Sequence, residues 1–254
     1  FLYITAIVGL MYGFSTLTAS DAGPFILAAG AILMFLFIRT ELKQENPVIE
    51  VRMFGQNLSY AFSNLAALLN YGATYAISYL ISIYLQTVMD YNSQTAGLIL
   101  IASPLVMAVL SPVAGRLSDK HSPYIMSSAG MGFCAAALAL FSFLPQESSI
   151  FRIIGTLSLS GIGFALFTSP NTNAVMASVE KEDYGIASSI LATMRSIGHT
   201  ASMAVVTLVM GAYLGNTALD KADTAVLMDT IHTCFYVFTA LCIAGIFIAL
   251  KRKT

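Results

Sequence analysis

The strongest constraint on this chain is a series of eight long apolar runs separated by short polar segments. They cover roughly Phe1–Leu17, Pro24–Ile38, Ser59–Leu85, Thr95–Ala114, Tyr124–Leu144, Phe151–Met176, Tyr184–Leu214 and Ala225–Leu250. A lipid core about 30 Å thick is crossed by about 20 residues of helix, so most of these runs have the length of a membrane span. Only 10% of the 254 residues are charged, while 57% are hydrophobic. Soluble domains carry about 25% charged residues to cover their wet surface, and this chain cannot supply that cover. The runs are rich in Ala, Leu, Gly and Met and lack a period of two, which excludes a β-barrel reading. The expected fold class is all-α integral membrane, with eight transmembrane helices.

Loop charges set the expected orientation. Arg39, Lys43, Arg52, Arg116, Lys120, Lys181, Lys251, Arg252 and Lys253 fall on one side, against Arg152 and Lys221 on the other. Nine against two, with Arg195 alone inside a run, predicts that the richer side and both chain ends are cytoplasmic. The longest polar loop, RTELKQENPVIEVRMFGQN over 39–57, contains helix-breaking Pro47 and then a stretch suited to the membrane surface. The expected division is two linker helices over 1–38, this cytoplasmic loop over 39–57, a six-helix bundle over 58–250 and a basic tail over 251–254. Phe1 lies within an apolar run without a preceding basic region, so the chain is expected to be the back part of a longer protein rather than to begin with a signal peptide.

Several chemistries have no visible home. No phosphate-cradling GxxxxGK loop is present, and no HExxH or other metal-ligand spacing. Cys134, Cys234 and Cys242 sit singly in apolar runs and read as small packing residues. Asp220 and Asp223 form a DxxD pair in an outer loop and read as a solvated turn. No cofactor, metal or nucleic-acid partner is expected.

One turn carries a motif. Between the fourth and fifth runs stands GRLSDKHSP over 115–123, where Gly115 permits close helix approach, Asp119 can cap the following helix, and Arg116 and Lys120 can meet acids or helix C-termini. This turn resembles the G-x-L-x-D-R-x-G-R signature of the major facilitator superfamily, as carried by the second half of those transporters. Gly115, Leu117 and Asp119 match, Lys120 stands for Arg, Ser122 stands for Gly, and the last basic position is lost. NPVIEVRMF, SYLISIYLQTVMDYNSQTAGLILIASPL, TSPNTNAVMASV and YGIASSILATMRSIGHTASMAV resemble segments of the fourteen-span drug:proton antiporter branch, over roughly residues 45–210. The resemblance implies a two-helix insert followed by the C-terminal six-helix bundle, with a partner bundle of six helices upstream. It also implies secondary transport: export of small lipophilic compounds in exchange for protons, in the plasma membrane of a prokaryote.

Candidate pathway residues follow from polarity within the spans. Asn70, Tyr71, Tyr75, Tyr79 and Gln86 lie in the third run, and the three tyrosines recur every four residues as an aromatic stripe, suited to bulky ligands or to interhelical packing. Asn171 and Asn173 follow Pro170, which is expected to open the sixth helix locally, and Pro104 and Pro112 are expected to kink the fourth. Arg195 is the one charge well inside a span, either a functional cation or one that reaches the interface. His199 reads as a packed residue rather than a proton relay. Ser188, Ala192, Ser196, Thr200 and Ala204 form a ladder of small side chains expected to pack closely on another helix. No carboxylate lies at mid-membrane depth, so the proton-carrying acid is expected in the upstream half. Two other functions compete: an intramembrane lipid-linked transferase using Glu180, Glu182, Asp183 and Asp119, or a non-transporting receptor or scaffold.

Overall fold

The computed structural model describes residues 2–16, 22–41, 54–55, 57–118, 120–215, 217, 219 and 222–250. Most of the loop over 39–57, Asp119 of the turn motif, and the basic tail lie outside the described residues. Lipid offers no hydrogen bonds to backbone, so each segment crossing it must satisfy its own amides, and helices do so locally. The chain folds accordingly. A hairpin of α1 (Leu2–Thr16) and α2 (Gly23–Glu41) precedes six spans. The third span comprises α3 (Leu58–Thr74), α4 (Ala76–Ile83) and a π turn over Tyr84–Val88. The fourth comprises α5 (Ser93–Leu100) and α6 (Ala102–Ser118). The remaining spans are α7 (Pro123–Phe141), α8 (Ile150–Ala177), α9 (Tyr184–Leu214) and α10 (Thr224–Leu250). Seven of these eight units are long and apolar enough to cross a membrane, and the first is a shorter apolar helix over Leu2–Gly13.

Local signals start and stop the helices. Asn57 caps α3 by accepting the Tyr60 amide at 2.9 Å, and Asn92 caps α5 by accepting the Thr95 amide at 2.8 Å. Pro123 opens α7, where a missing N–H costs nothing. Gly215 ends α9 at φ 56°, a left-handed conformation that glycine adopts without strain. Alternate ends of the spans meet as an up-and-down bundle requires. At the end bearing Arg116, Lys120 and Lys181, Ser59 Oγ donates to Tyr124 Oη at 2.8 Å, and the Asn57 side-chain amide donates to the Ser178 carbonyl. At the opposite end, Tyr84 Oη donates to the Pro145 carbonyl at 2.9 Å, and Arg152 donates to the Phe143 carbonyl at 3.0 Å.

The proline expectations divide. The fourth span is interrupted at Ile101, because Pro104 has no N–H to give the Leu100 carbonyl. At Pro112 α6 runs on without a break. α8 likewise runs on through Pro170. The third span, which contains no proline, is instead interrupted at Tyr75. There the Ala76 amide donates to Ser202 Oγ of α9 at 3.2 Å, so a side chain from another helix enters the ladder.

At the centre of the bundle α3 packs against α7, α8, α9 and α10, while α6 leans chiefly on α8. Between lipid-embedded helices the association rests on close packing rather than on the hydrophobic effect, so small residues occupy the crossings. A methyl placed on Gly198 would lie 2.7 Å from the Leu68 carbonyl oxygen and 3.0 Å from the Gly72 nitrogen. This crossing of α3 and α9 is made on a different face from most of the Ser188–Ala204 ladder. Ser188, Ala192 and Ser196 are exposed, and the closest contact is made by Gly198 and Ser202 on another face. The three cysteines are buried and unbridged, as small packing residues. Gly198→Ala should destabilise the folded chain by about 1–3 kcal/mol through overpacking. Gly132→Ala, at a position with nothing within 4 Å of the added carbon, should leave thermal unfolding in detergent unchanged.

Candidate functional site

The third and seventh spans bring a group of polar and aromatic side chains together at mid-depth. Arg195 lies eleven residues into α9 and Tyr71 thirteen into α3. At 1.5 Å per residue these positions are about 16 Å and about 20 Å from the helix starts, within segments long and apolar enough to span a membrane. The Arg195 guanidinium carbon sits 4.9 Å from the centroid of the Tyr71 ring. Tyr71 Oη donates to Thr168 Oγ1 of α8 at 3.5 Å, and its ring meets Phe167 edge-on at 6.1 Å. His199, one turn beyond Arg195, stacks on Tyr75 at 4.1 Å and 17° and meets the Tyr71 ring edge-on at 5.4 Å. The Gly72–Gly198 approach is what lets these rings interleave.

The energetics of Arg195 are unbalanced. A cation–π contact contributes about 0.5–2 kcal/mol. A cation at the centre of a bilayer costs roughly 2.5–3.5 kcal/mol on insertion scales and more in isolation. Among the described residues Arg195 forms no ion pair and no hydrogen bond, and its Nε is enclosed without a partner. The Tyr71 ring therefore offsets only part of the cost.

Two clefts flank Tyr75. One, about 530 Å³, is lined by Met11, Tyr75, Ser196, His199, Thr200 and Met203, among others. The second, about 380 Å³, is lined by Tyr75, Tyr79, Ser103, Ser160, Phe164 and Met203, among others. Both lie in the size range of small-molecule sites, with alcohols set in an apolar wall. Met11 reaches the first cleft because α1 rests on α9, where Tyr3 and Thr193 share a hydrogen bond of 2.7 Å.

The aromatic stripe is thus graded. Tyr71 is 8% exposed, Tyr75 47% and Tyr79 39%, so the ladder runs from bundle core to cleft. Other expected pathway residues stand apart. Gln86 belongs to the turn after α4, donating to Ser82 Oγ and accepting from Ser93 Oγ, both at 2.8 Å. Asn70 is wholly buried and lines neither cleft, and neither atom of its amide has a partner among the described residues. Asn171 is also buried. Asn173 donates to Ser118 Oγ at 2.7 Å, which ties α8 to the end of α6 and hence to the turn motif. Within that motif Gly115 fits against Ser169 of α8, while Arg116, Leu117 and Lys120 are exposed.

The sequence matches the model of the major facilitator superfamily over residues 1–203 and again over residues 63–254. The chain belongs to the major facilitator superfamily. Among curated relatives, the riboflavin transporter RibZ of Clostridioides difficile (strain 630) is 26% identical over 231 residues, covering 90% of this chain and 50% of its own length. The multidrug resistance protein Stp of Mycobacterium tuberculosis (strain ATCC 25618 / H37Rv) is 29% identical over 201 residues, covering 79% of this chain and 37% of its own. The drug efflux pump JefA of Mycobacterium tuberculosis (strain CDC 1551 / Oshkosh) is 25% identical over 226 residues, covering 86% and 44%. The chain spans half or less of the length of these relatives. It is a multi-pass membrane protein of a transporter family.

Polarity and spacing in the sequence pick out Tyr71, Tyr75 and Arg195 and mark His199 as a packed residue, but give no sign of Thr168 or Ser202. The spacing Arg195–Gly198–His199 was the available signal: a cation and an imidazole one turn apart beside a glycine that admits a neighbouring helix. Removing the acceptor at the Tyr75 interruption tests the arrangement. Ser202→Ala should cost about 1 kcal/mol and speed hydrogen exchange at the Ala76 amide, while amides of α7 keep their protection.

Proposed function

We propose that this chain is the rear part of a fourteen-span drug:proton antiporter that exports small lipophilic compounds against proton entry by alternating access. The observation that carries this reading is the mid-depth cluster of Tyr71, Tyr75, Arg195 and His199, set between two clefts on the least enclosed side of the bundle. Only 11% of the fourth span's most apolar stretch is buried and 22% of the seventh's, against 61% for the third. These two spans contribute Ser103 and Met203 to the cleft walls, so a second six-span bundle seated there would close the site from the other side. The names of Stp and JefA support drug efflux. In this reading α1 and α2 are the linker insert, residues 58–250 form one rocking unit, and the upstream half completes the site.

The proton-carrying acid belongs to that upstream half. Asp90 stands in the turn after the third span and Asp229 is exposed in the second turn of α10, both far from the cluster. The turn motif acts at the other end: through Ser118 and Asn173 it binds α6 and α8 into one body, and its Arg116 and Lys120 remain available to the partner bundle. In this reading that end faces the cytoplasm of a plasma membrane, which the excess of basic loops supports.

Two measurements check this. In proteoliposomes under an imposed pH gradient, the whole protein should drive out a lipophilic dye and stop when an ionophore collapses the gradient, whereas residues 1–254 alone should transport nothing. Full activity from residues 1–254 would sink the two-bundle reading, and gradient-independent transport would sink the proton coupling. For topology, the three native cysteines are buried and give little background. Lys120→Cys should therefore react with an impermeant maleimide only in inverted vesicles; labelling of intact cells would reverse the orientation.

A further inference from the structure

We propose that α1 is a wall of the export route: an uncharged lipophilic molecule travels between Met11 of α1 and the face of α9 that carries Ser196, Thr200, Met203 and Thr207. The inference rests on the transport reading above and gives a role to the first linker helix, which that reading leaves as an insert.

Three observations carry it. First, the clefts are chambers of one groove. Tyr75 and Met203 line both the 380 Å³ and the 530 Å³ clefts. Thr207 lines both the 530 Å³ cleft and a third, about 500 Å³, that continues to Gly211, Leu214 and Leu219. Ser196, Thr200, Met203, Thr207, Gly211 and Leu214 recur at intervals of three or four and so share one face of α9. From Ser196 to Leu214 that face runs about 27 Å along the helix axis, comparable with the thickness of a lipid core. Second, α1 stands opposite that face. Met11 lines the 530 Å³ cleft. Tyr3, about two turns earlier, holds the 2.7 Å hydrogen bond to Thr193, so α1 is fastened at one end of the groove and runs beside α9. Third, the wall is firm. A methyl on Gly13 would lie 2.5 Å from the Leu27 nitrogen of α2, and one on Gly30 would lie 2.6 Å from the Leu10 nitrogen of α1. The two linker helices are packed backbone to backbone, so Met11 is presented by a tight hairpin.

The lining sets the chemistry of the molecule that fits. Among the described residues that line the three clefts, none is Asp, Glu, Lys or Arg. Arg195 sits over the Tyr71 ring and lines none of them. A charged molecule would leave water for a wall that cannot neutralise it, whereas an uncharged one gives up far less hydration. Thr200 Oγ1 donates to the Ser196 carbonyl at 3.0 Å, and Thr207 Oγ1 donates to the Met203 carbonyl at 2.9 Å. With their protons committed, both hydroxyls offer the groove acceptor oxygens. Met11 and Met203 add adaptable apolar contact, and the Tyr75–His199 stack adds flat aromatic surface. An aromatic molecule without charge that brings its own N–H or O–H matches this lining.

N-phenyl-1-naphthylamine, an uncharged fluorescent dye made of aromatic rings on an N–H, tests this. In cells making the whole protein, Met11→Trp should slow efflux of the dye at least about fivefold by crowding the groove, and Met11→Leu should leave it unchanged. Phe35→Trp, on the exposed side of α2, should also leave it unchanged. Occupancy supplies a reading that a purely structural role would not move. In the Met11→Cys and Thr207→Cys proteins the dye should slow the reaction of N-ethylmaleimide at the new thiol at least about fivefold, and in the Phe35→Cys protein it should not. Unslowed efflux by the Met11→Trp protein would overturn the proposal. So would a thiol at position 11 that never reacts, or that reacts at the same rate with and without the dye, because lipid rather than substrate would then fill the space beside α1. Protection of both positions without any efflux would instead overturn the transport reading and leave the groove as a binding site. Efflux with neither position protected would overturn the route and leave the transport reading standing.

Discussion

A backbone amide surrounded by lipid must find its acceptor inside the protein, and at Ala76 the acceptor comes from another helix. The Ser202 hydroxyl joins the hydrogen-bond ladder of the third span at the point where Tyr75 interrupts it. That exchange depends on α3 and α9 approaching to backbone distance, which Gly72 and Gly198 permit. Everything proposed for this protein depends on that crossing. It brings His199 onto the Tyr75 ring and Arg195 over Tyr71. A larger residue at position 198 would push the helices apart and separate the rings with them.

Much of the architecture was legible because it follows from transfer energies alone. Long apolar runs, sparse charge and basic loops on alternate connections leave few arrangements other than antiparallel helices in lipid. Helix ends were readable to within a few residues where a capping side chain or a glycine marks them, as at Asn57 and Gly215. The interruption at Tyr75 was not readable, since its cause is a hydroxyl 126 residues away in the chain.

The candidate site was partly visible and partly hidden. A period of four marked Tyr71, Tyr75 and Tyr79, and a lone charge within a span marked Arg195. Polarity also marked Asn70 and Gln86, which turned out to be a buried interior amide and a turn residue. Polarity within a span signals that a group needs a partner without saying whether that partner is a ligand, a backbone carbonyl or another side chain. Likewise, four-residue spacing identifies one face of α9, but which face meets α3 depends on where the neighbouring helix runs.

Tyr75 lines both clefts, so the wall between them is in part a single side chain, with Met203 standing on both sides as well. The ring projects from the point where the Ala76 amide donates to a side chain of another helix. A rotation of that one ring changes the shape of two compartments at once.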